Sequence, residues 1–382
     1  MVELVVEKLI WRGRGLGRLL SGKRAIILPP VLPSERILGK ITKEKKDYVE
    51  IEPIKILAPS KYRRPHPCAL SNECGGCRFG IIQDDYELKL KKEVFIKEFQ
   101  RSLGKDFYSY FDKDIKVFSS PIKWGYRWRG QIFILDGKPH FKKLNTNKLV
   151  QINKCLLFAS PINDRFKKRF NISPQKITIS ASPFNFKVLT ELDEDKLILP
   201  YYKYNINLKI HPSAFFQANW DLNQDLVDFV VSAANKFDSI ADLYAGCGNF
   251  SIPLATLNKK VIAVENDNRA LESLVDVKKK MGLNLIVEKM DLRNNLPISL
   301  IKKHKVECVI IDPPRSGGPR FVKELIRFKE LKRIIWVSCD IVNSARDIRP
   351  ILKAGWEITN IALFDMFPKT YHMEAILILN RN

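Results

Sequence analysis

The chain has 382 residues, and its 65 lysine and arginine residues outnumber its 42 aspartate and glutamate residues, which gives a formal net charge of +23 at pH 7. Hydrophobic residues make up 45 % and charged residues 28 % of the chain, so the composition excludes a wholly disordered or fibrous protein, and the length predicts two or three domains. The excess of positive charge favours a polyanionic partner, although the solvated faces of a lysine-rich protein would also explain it.

The N-terminal part of the chain, residues 2–58, is predicted to be a small all-β unit. Short β-rich runs occur at Val5–Leu9, Arg24–Leu28 and Tyr48–Glu52. The glycine- and arginine-rich segment Trp11–Arg18 lies between the first two, and its arginines and tryptophan suit phosphate contacts and base stacking. A plain solvated hairpin is the alternative. No apolar run is as long as a membrane helix and no secretory signal is recognisable, so we expect a cytoplasmic protein without membrane association.

Four prolines (Pro53, Pro59, Pro65 and Pro67) then indicate a linker. Residues 83–103 have the amphipathic pattern of a helix. Residues 105–210 are basic and rich in predicted strands, and from residue 211 short apolar strands alternate with amphipathic helices. That alternation predicts a doubly wound α/β domain at the C-terminal end of the chain.

Three cysteines form a metal-binding pattern near the linker. Cys68, Cys74 and Cys77 lie close together, with two glycines inside the last spacing, and Cys155 is the nearest candidate for a fourth thiolate. Sets of four thiolates bind either Zn²⁺ or an iron–sulfur cluster, and the spacing alone leaves both open. A radical mechanism is not expected, because the spacing differs from that of radical enzymes.

The strongest local motif is Ile240–Phe250, in which a short apolar strand is followed by a turn with Gly246 and Gly248 and then by a helix. The next strand, Lys260–Glu265, ends in an acid 19 residues after Gly246, where a carboxylate would bind a ribose diol. The turn lacks the full dinucleotide pattern and is closer to that of methyltransferases. Asp291 falls where a third strand would end, beside an adenine.

Candidate catalytic and cofactor-binding residues also follow the fourth and fifth predicted strands and begin the last apolar run. Asp312-Pro313-Pro314 follows the fourth strand and predicts a rigid rim over a methyl donor, and Arg315 next to it argues against an exocyclic amine as the methyl acceptor. Cys339 follows the fifth strand and is a candidate nucleophile, although a buried structural thiol would have the same position. Glu374 opens a C-terminal apolar run and is a candidate general base, or else a strand-edge acid.

These groups fit one reaction. Carbon 5 of uracil is a poor nucleophile, but addition of a thiolate at carbon 6 makes it nucleophilic enough to accept a sulfonium methyl group. A base then removes the proton from carbon 5, and the thiolate is eliminated. The reaction therefore needs one thiolate, one base and one methyl donor in a single pocket.

Across nearly its whole length the chain resembles the RNA uracil-5 methyltransferases, specifically the branch with an N-terminal TRAM domain and a [4Fe–4S] cluster. The resemblance rests on the four cysteines of the metal-binding pattern, on the strand-end motifs described above, and on two further segments, Leu32–Arg36 and Phe215–Asn219. Ser338-Cys339-Asp340-Ile341 differs from the Ser-Cys-Asn-Pro usual in the family. The resemblance implies Cys339 as nucleophile and Glu374 as base. It also implies a set of cluster cysteines and of S-adenosyl-L-methionine (SAM) contacts: Cys68, Cys74, Cys77 and Cys155 for the cluster; Gln217, Tyr244, Gly246, Gly248, Asn249, Glu265, Asp291 and Asp312 for SAM.

We therefore expect three domains: a TRAM-like, OB-like β-barrel over residues 1–58, a central α+β iron–sulfur domain over 59–82 and 105–208, and a Rossmann-like SAM methyltransferase domain over 83–104 and 209–382. The predicted function is methylation of a uridine in structured RNA by a monomer. Ribosomal RNA of the large subunit (23S rRNA) is the first choice of substrate, and a tRNA T-loop uridine is the second. A non-catalytic RNA-binding protein and a DNA cytosine methyltransferase are the competing hypotheses; the intact Cys339 and Glu374 argue against the former, and the absence of a Pro-Cys loop argues against the latter.

Overall fold

The computed structural model describes residues 1–104, 109–110, 115–144, 146–293, 295–315, 317 and 319–381. The chain divides into two compact units. The first unit consists of Met1–Arg101, Lys142–Lys148 and Phe367–Met373, and the second of Ser102–Phe141, Leu149–Met366 and Glu374–Asn382. Among the described residues, no helix combines the length and the apolar character needed to cross a membrane.

The first unit begins with a six-stranded sheet. Its strands are β1 (Val2–Val5), β2 (Lys8–Ile10), β3 (Arg14–Arg18), β4 (Arg24–Ile27), β5 (Arg36–Glu44) and β6 (Tyr48–Ala58), in the order β1-β5-β6-β4-β3-β2. The predicted strand at Tyr48 is confirmed but runs on through Pro53, which was expected in a linker. The pairing of β5 with β6 shifts register beside Pro53, and a bulge of this kind tolerates a residue without a backbone N–H. Closure of the sheet into a barrel stays a prediction.

Helix α1 (Asp84–Leu103) confirms the helix predicted for residues 83–103. Its first turns hold an ion network that is buried except at Asp84. The ammonium of Lys369 lies 2.6 Å from Glu87 Oε2 and 2.5 Å from Asp84 Oδ1, and Lys91 Nζ donates to the carbonyl of Phe367 at 3.0 Å. Buried charges are tolerated when they are paired in this way. Leu90 of α1 also belongs to the apolar core of the N-terminal sheet, so α1 is part of the first unit. The prediction placed residues 83–104 with the methyltransferase domain.

Two smaller sheets open the second unit. A five-stranded sheet has the order β10-β9-β8-β11-β12, and β13 pairs with β14. The elements are β7 (Lys116–Phe118), β8 (Arg129–Leu135), β9 (Lys138–Lys142), β10 (Leu149–Gln151), α2 (Ser160–Phe166), β11 (Gln175–Ala181), β12 (Val188–Thr190), β13 (Leu197–Tyr201) and β14 (Ile206–Ile210). Most of the segment predicted as a central domain thus belongs to the same compact unit as the C-terminal part of the chain, and the three-domain division stays a prediction.

The rest of the second unit is an α/β domain around an eight-stranded sheet in the order β17-β16-β15-β18-β19-β21-β20-β7. Its elements are α3 (Trp220–Ala234), β15 (Ser239–Leu243), α4 (Ser251–Thr256), β16 (Lys260–Glu265), α5 (Asn268–Met281), β17 (Leu285–Lys289), α6 (Ile298–Lys303), β18 (Cys308–Ile311), α7 (Pro319–Leu325), β19 (Arg333–Ser338), α8 (Ile341–Lys353), β20 (Trp356–Phe364) and β21 (Glu374–Arg381). Strands β15 to β19 are parallel, as predicted, and the strand order reverses at β15, where open α/β sheets bind ligands.

Candidate active site

The turn between β15 and α4 has an unusual backbone. Tyr244, Gly246 and Gly248 adopt left-handed φ angles of 65°, 54° and 95°. A Cβ on Gly248 would lie 2.6 Å from Ile252 and 2.7 Å from Leu274, so glycine is needed for α4 and α5 to pack against the turn. Among the described residues, no atom outside Gly246 and its two chain neighbours lies within 4 Å of the corresponding position on Gly246, which faces open space. The turn is therefore packed on one side and accessible to a ligand on the other.

A cavity opens in front of this turn, with about 420 Å³ of empty space including the part open to solvent. Five of the eight predicted SAM-contacting residues line it. The full lining consists of Leu199, Tyr201, Phe215, Phe216, Gln217, Tyr244, Ala245, Gly246, Cys247, Asn249, Phe250 and Asp312. The structure thus brings the Phe215–Asn219 segment, the glycine turn and the Asp312 rim together around one space.

Asn249 is held in the cavity wall by two residues that the sequence analysis missed. The Tyr201 hydroxyl donates to Asn249 Oδ1 at 3.0 Å, and the amide groups of Asn223 and Asn249 exchange hydrogen bonds of 2.9 and 3.1 Å. Asn223 lies one helical turn after Asn219, which is the only signal in the sequence that points to it. These bonds fix the orientation of the Asn249 amide towards the cavity.

The other three predicted contacts lie outside the cavity lining. Besides Gly248, these are Glu265 and Asp291. Glu265 accepts hydrogen bonds from the backbone N–H groups of Gly246 at 2.8 Å and of Asp267 at 2.9 Å, so its carboxylate braces the glycine turn. Arg293 binds the carboxylate of Asp291 and lowers the pKa of that group to about 2. Their assignment to the ribose and the adenine stays a prediction.

Asp242 lies beneath the turn and is fully buried. Burial and, to a smaller extent, the nearby Asp312 carboxyl raise the pKa of its carboxyl to about 7 despite a hydrogen bond from Ser251. Among the described residues, its Oδ1 atom has no hydrogen-bond partner. The free energy cost of burying a charge here favours the protonated acid below about pH 7.

Cys339 and Glu374 lie at the ends of adjacent antiparallel strands. In the pairing of β19 with β21, Ser338 is opposite Ala375, so the next position on each strand brings Cys339 opposite Glu374. Glu374 is only 3 % exposed, and Cys339 is partly buried. The structure therefore brings the predicted nucleophile and the predicted base together, although 35 positions separate them in the sequence.

Two more charged groups act on this pair. Burial and, to a smaller extent, the carboxyls of Glu374 and Asp312 raise the pKa of the Cys339 thiol to about 12, and the guanidinium of Arg315 opposes this change. Burial and Asp312 also raise the pKa of Glu374, and Arg315 again opposes the change. Arg315 is thus the group that favours the thiolate. The sequence analysis used Arg315 only to exclude an exocyclic amine and did not include it among the site residues.

Helix α8 supports the backbone after β19 and the backbone after β18. The Asp340 side chain caps the helix by accepting from the backbone N–H groups of Val342 at 3.1 Å and Asn343 at 3.2 Å. Asn343 Nδ2 donates to the carbonyl of Arg315 at 2.7 Å. Aspartate and asparagine are both good N-caps, so the Asp340 that departs from the family pattern retains the local structure after Cys339.

Two of the three cysteines of this pattern in the first unit, Cys68 and Cys77, contact His66, which the sequence analysis did not single out. The backbone N–H of Cys68 donates to His66 Nδ1 at 3.0 Å, and His66 Nε2 lies 3.6 Å from Cys77 Sγ. Burial raises the pKa of the Cys74 thiol; a backbone hydrogen bond from Gly76 opposes this, and the nearby Cys68 thiol adds to it. In the described part of the chain, no three histidine, cysteine, aspartate or glutamate side chains are arranged to hold a metal ion.

Cys155 belongs to the second unit, where its backbone N–H and C=O bond the side chain of Asn163 at 2.8 and 3.0 Å. Its assignment as the fourth thiolate is therefore untested, and the [4Fe–4S] cluster stays a prediction. Cys247 and Cys308 are buried in the second unit, in keeping with core thiols.

Comparisons with known proteins find RNA methyltransferases of similar sequence and fold. A 23S rRNA (uracil(1939)-C(5))-methyltransferase, RlmD of Vibrio parahaemolyticus, is 24 % identical over 99 % of this chain and 95 % of its own length. An uncharacterized RNA methyltransferase of Aquifex aeolicus is 27 % identical over 99 % of this chain and 98 % of its own length. Among solved structures, this chain is similar to a Pyrococcus abyssi tRNA (uracil-54, C5)-methyltransferase in complex with S-adenosyl-L-homocysteine. The match has a TM-score of 0.74 and 22 % identity and covers 98 % of this chain and 100 % of that one, so the two have the same fold.

A family model described as tRNA (Uracil-5-)-methyltransferase matches residues 156–382, which include the cofactor turn, Cys339 and Glu374. Because this match covers more than half of the chain, the protein belongs to the tRNA (uracil-5-)-methyltransferase family and is an RNA (uracil-5-)-methyltransferase.

Proposed function

We propose that this protein transfers a methyl group from SAM to carbon 5 of a specific uridine in structured RNA through a covalent adduct with Cys339. The position of Cys339 opposite Glu374 at the ends of β19 and β21 is the observation that carries the proposal. A thiol and a carboxyl in this relation supply the nucleophile and the base that uracil C5 chemistry needs, and a non-catalytic RNA-binding protein would have no use for the pair.

The Cys339 thiolate adds to carbon 6 of the uracil ring, and the electron pair of the C5–C6 double bond moves towards the carbonyl at carbon 4. Arg315 stabilises the thiolate, because it is the cation that lowers the pKa of Cys339. SAM, when bound, supplies the methyl group as an electrophile to carbon 5. The Glu374 carboxylate then removes the proton from carbon 5, the double bond re-forms, and the sulfur leaves as a thiolate.

The cavity in front of the glycine turn is the proposed SAM site. Gln217, Tyr244, Gly246, Asn249 and Asp312 line it, and the open space at Gly246 leaves room for a ligand against the backbone. Gly248 supports this site by keeping α4 and α5 close to the turn. Glu265 and Asp291 are proposed to bind the ribose and the adenine, which requires Asp291 to exchange its contact with Arg293 for the ligand.

We propose 23S rRNA as the substrate, because a relative with nearly the full length of this chain is a 23S rRNA enzyme. A tRNA uridine is the second candidate, favoured by the description of the family model. Mapping 5-methyluridine in rRNA and tRNA from a deletion strain, by mass spectrometry of nuclease fragments, separates the two. Loss of the methyl group from tRNA alone would reject the rRNA substrate.

We also propose that Cys68, Cys74 and Cys77, with Cys155 as the fourth ligand implied by the family resemblance, bind a [4Fe–4S] cluster. Each of the four side chains is partly buried, and thiolates are the ligands that such clusters require. With all four thiolates bound, the cluster would have a structural role. Anaerobically purified protein should be brown and contain about four irons per chain, and Cys74→Ser should lose the colour. Stoichiometric zinc without iron would reject the cluster.

A transcript containing 5-fluorouridine tests the covalent step. Fluorine at carbon 5 cannot be removed as a proton, so the adduct should persist and appear as a shifted band on a denaturing gel. Cys339→Ala should abolish adduct and product, whereas the control Cys308→Ala, which changes a buried thiol of β18, should retain both. Glu374→Gln should accumulate a methylated adduct on ordinary RNA. Adduct formation by Cys339→Ala would reject the proposed nucleophile.

A further inference from the structure

The hairpin between β11 and β12 carries two large exposed aromatic side chains at its tip, residues 182–187. Phe184 is 51 % and Phe186 is 61 % exposed. The tip has a defined backbone, because the Ser182 hydroxyl accepts from the N–H of Phe184 at 3.2 Å, and the N–H of Phe186 donates to the carbonyl of Ser182 at 3.0 Å. The two rings are therefore presented to solvent by an ordered turn.

Phe186 also has a left-handed backbone, with a φ of 59°. Asparagine or glycine adopts this conformation readily, whereas a bulky side chain is strained in it. Neither burial nor backbone preference explains a phenylalanine at this position. A strained backbone that holds an exposed ring is a reason to look for something that the ring binds.

The tip is connected to the cofactor cavity through Trp128. The ring of Phe186 stacks on Trp128 with centroids 6.1 Å apart and an interplanar angle of 26°. The backbone N–H of Trp128 donates to the carbonyl of Ala218 at 2.8 Å, next to Gln217 in the cavity wall. Phe215, 60 % exposed, lines the same cavity beneath the guanidinium of Arg129. The exposed rings of Phe186 and Phe215 and the guanidinium of Arg129 are therefore connected, directly or through Trp128, to the segment that lines the cavity.

The segment that contains the tip is basic over its whole length. The segment 105–210 has 20 basic and 9 acidic residues. Four acidic residues follow the hairpin, and three of them have polar partners: Asp193 accepts from Thr190, Glu194 faces Arg269, and Asp195 is paired with Lys187. Aromatic rings next to positive charge are the usual elements of surfaces that bind single-stranded nucleic acid.

We infer that Phe184 and Phe186, supported by Trp128, form a stacking surface for unpaired bases of the RNA substrate near the target uridine. This inference rests on the proposed function and adds to it the part of the chain that receives the flanking nucleotides. Because every base has a π face, this surface selects for unpaired RNA and not for a particular base.

Phe186→Asn tests the inference, since asparagine tolerates the left-handed backbone while the ring is lost. Binding of a fluorescent single-stranded oligouridylate, measured by anisotropy, should weaken by on the order of tenfold. Binding of an RNA duplex should not change, and the melting temperature should stay the same or rise. The dependence of log K on log salt should also stay the same, because stacking releases no counterions. Phe186→Trp is the matched control and should bind like the wild type.

Unchanged oligouridylate affinity, an equal loss with duplex RNA, or a flatter salt dependence would each overturn the inference. Should Phe186→Asn melt early, Phe184→Ala provides the same comparison at a position that lacks a left-handed φ. With methylation as a second readout, the variant should raise KM for RNA and leave kcat unchanged. If the wild type methylates no uridine, the proposed function fails, whereas the oligouridylate comparison still decides the stacking surface.

Discussion

Replacing Asp242 with asparagine is expected to change how the stability of the second unit depends on pH. The Asp242 carboxyl is fully buried under the glycine turn, and burial raises its pKa from 3.8 to about 7. Asparagine keeps the shape and the hydrogen bond to Ser251 but carries no titratable proton. Comparing the wild type with Asp242→Asn therefore isolates the free energy cost of ionising this one carboxyl.

The size and the sign follow from proton linkage. Between about pH 4 and pH 7 the folded protein retains a proton that the unfolded chain has released, so the free energy of unfolding of the wild type falls as the pH rises through this interval. A pKa change of roughly three units corresponds to about 4 kcal/mol. Relative to the wild type, Asp242→Asn should therefore gain about 4 kcal/mol of stability between pH 4 and pH 8.

Urea unfolding at a series of pH values, followed by tryptophan fluorescence, measures this difference. Of the six tryptophans only Trp11 belongs to the first unit, so the signal reports mainly on the second unit. Any packing cost of the substitution is the same at each pH and cancels. Asp276→Asn is the control: Lys196 lowers the pKa of Asp276, so its difference should be small and of opposite sign. A difference between Asp242→Asn and the wild type that does not vary with pH would refute the reasoning.

Three further substitutions have expected outcomes. Arg315→Gln should slow adduct formation on 5-fluorouridine RNA and move its pH profile to higher pH, because the pKa of Cys339 rises when the cation is removed; an unchanged profile would assign thiolate stabilisation elsewhere. Lys369→Met should lower the free energy of unfolding by about 3 kcal/mol in urea, because it leaves Glu87 buried with one cation fewer. Asp340→Ala should cost about 1 kcal/mol in the same assay and Asp340→Asn nearly nothing, since only alanine removes the helix cap; equal losses would argue against capping.

Local patterns predict the cofactor region well. The strand Lys260–Glu265 is predicted with its observed bounds, because an apolar run between a turn and an acid is a feature of neighbouring residues. The glycine turn and the N-terminus of α4 follow from the same kind of information. Asp291 shows the limit of prediction from local patterns. The sequence indicates that it follows a strand end, but its ion pair with the Arg293 guanidinium depends on side-chain geometry, which the pattern does not give.

The relation between Cys339 and Glu374 depends on tertiary structure. It arises because β21 is antiparallel and lies between β19 and β20, and the residues on either strand carry no signal for that order. Their roles come instead from the chemistry of uracil and from the family resemblance. Tyr201, which positions Asn249, was missed for a similar reason, since a tyrosine at the end of an apolar strand looks like any core residue.

The pairing of Lys369 with Glu87 has a consequence for the order in which the chain is made. The two residues are 282 positions apart. At about 5–20 residues per second, a ribosome would add Lys369 roughly 15 to 55 s after Glu87. Throughout that interval the nascent chain contains α1 without the lysine that neutralises its first turns. The N-terminal unit is therefore begun first but stays incomplete until the segment after β20 has been synthesised, and the parallel strands that form the cofactor turn are made before it is finished.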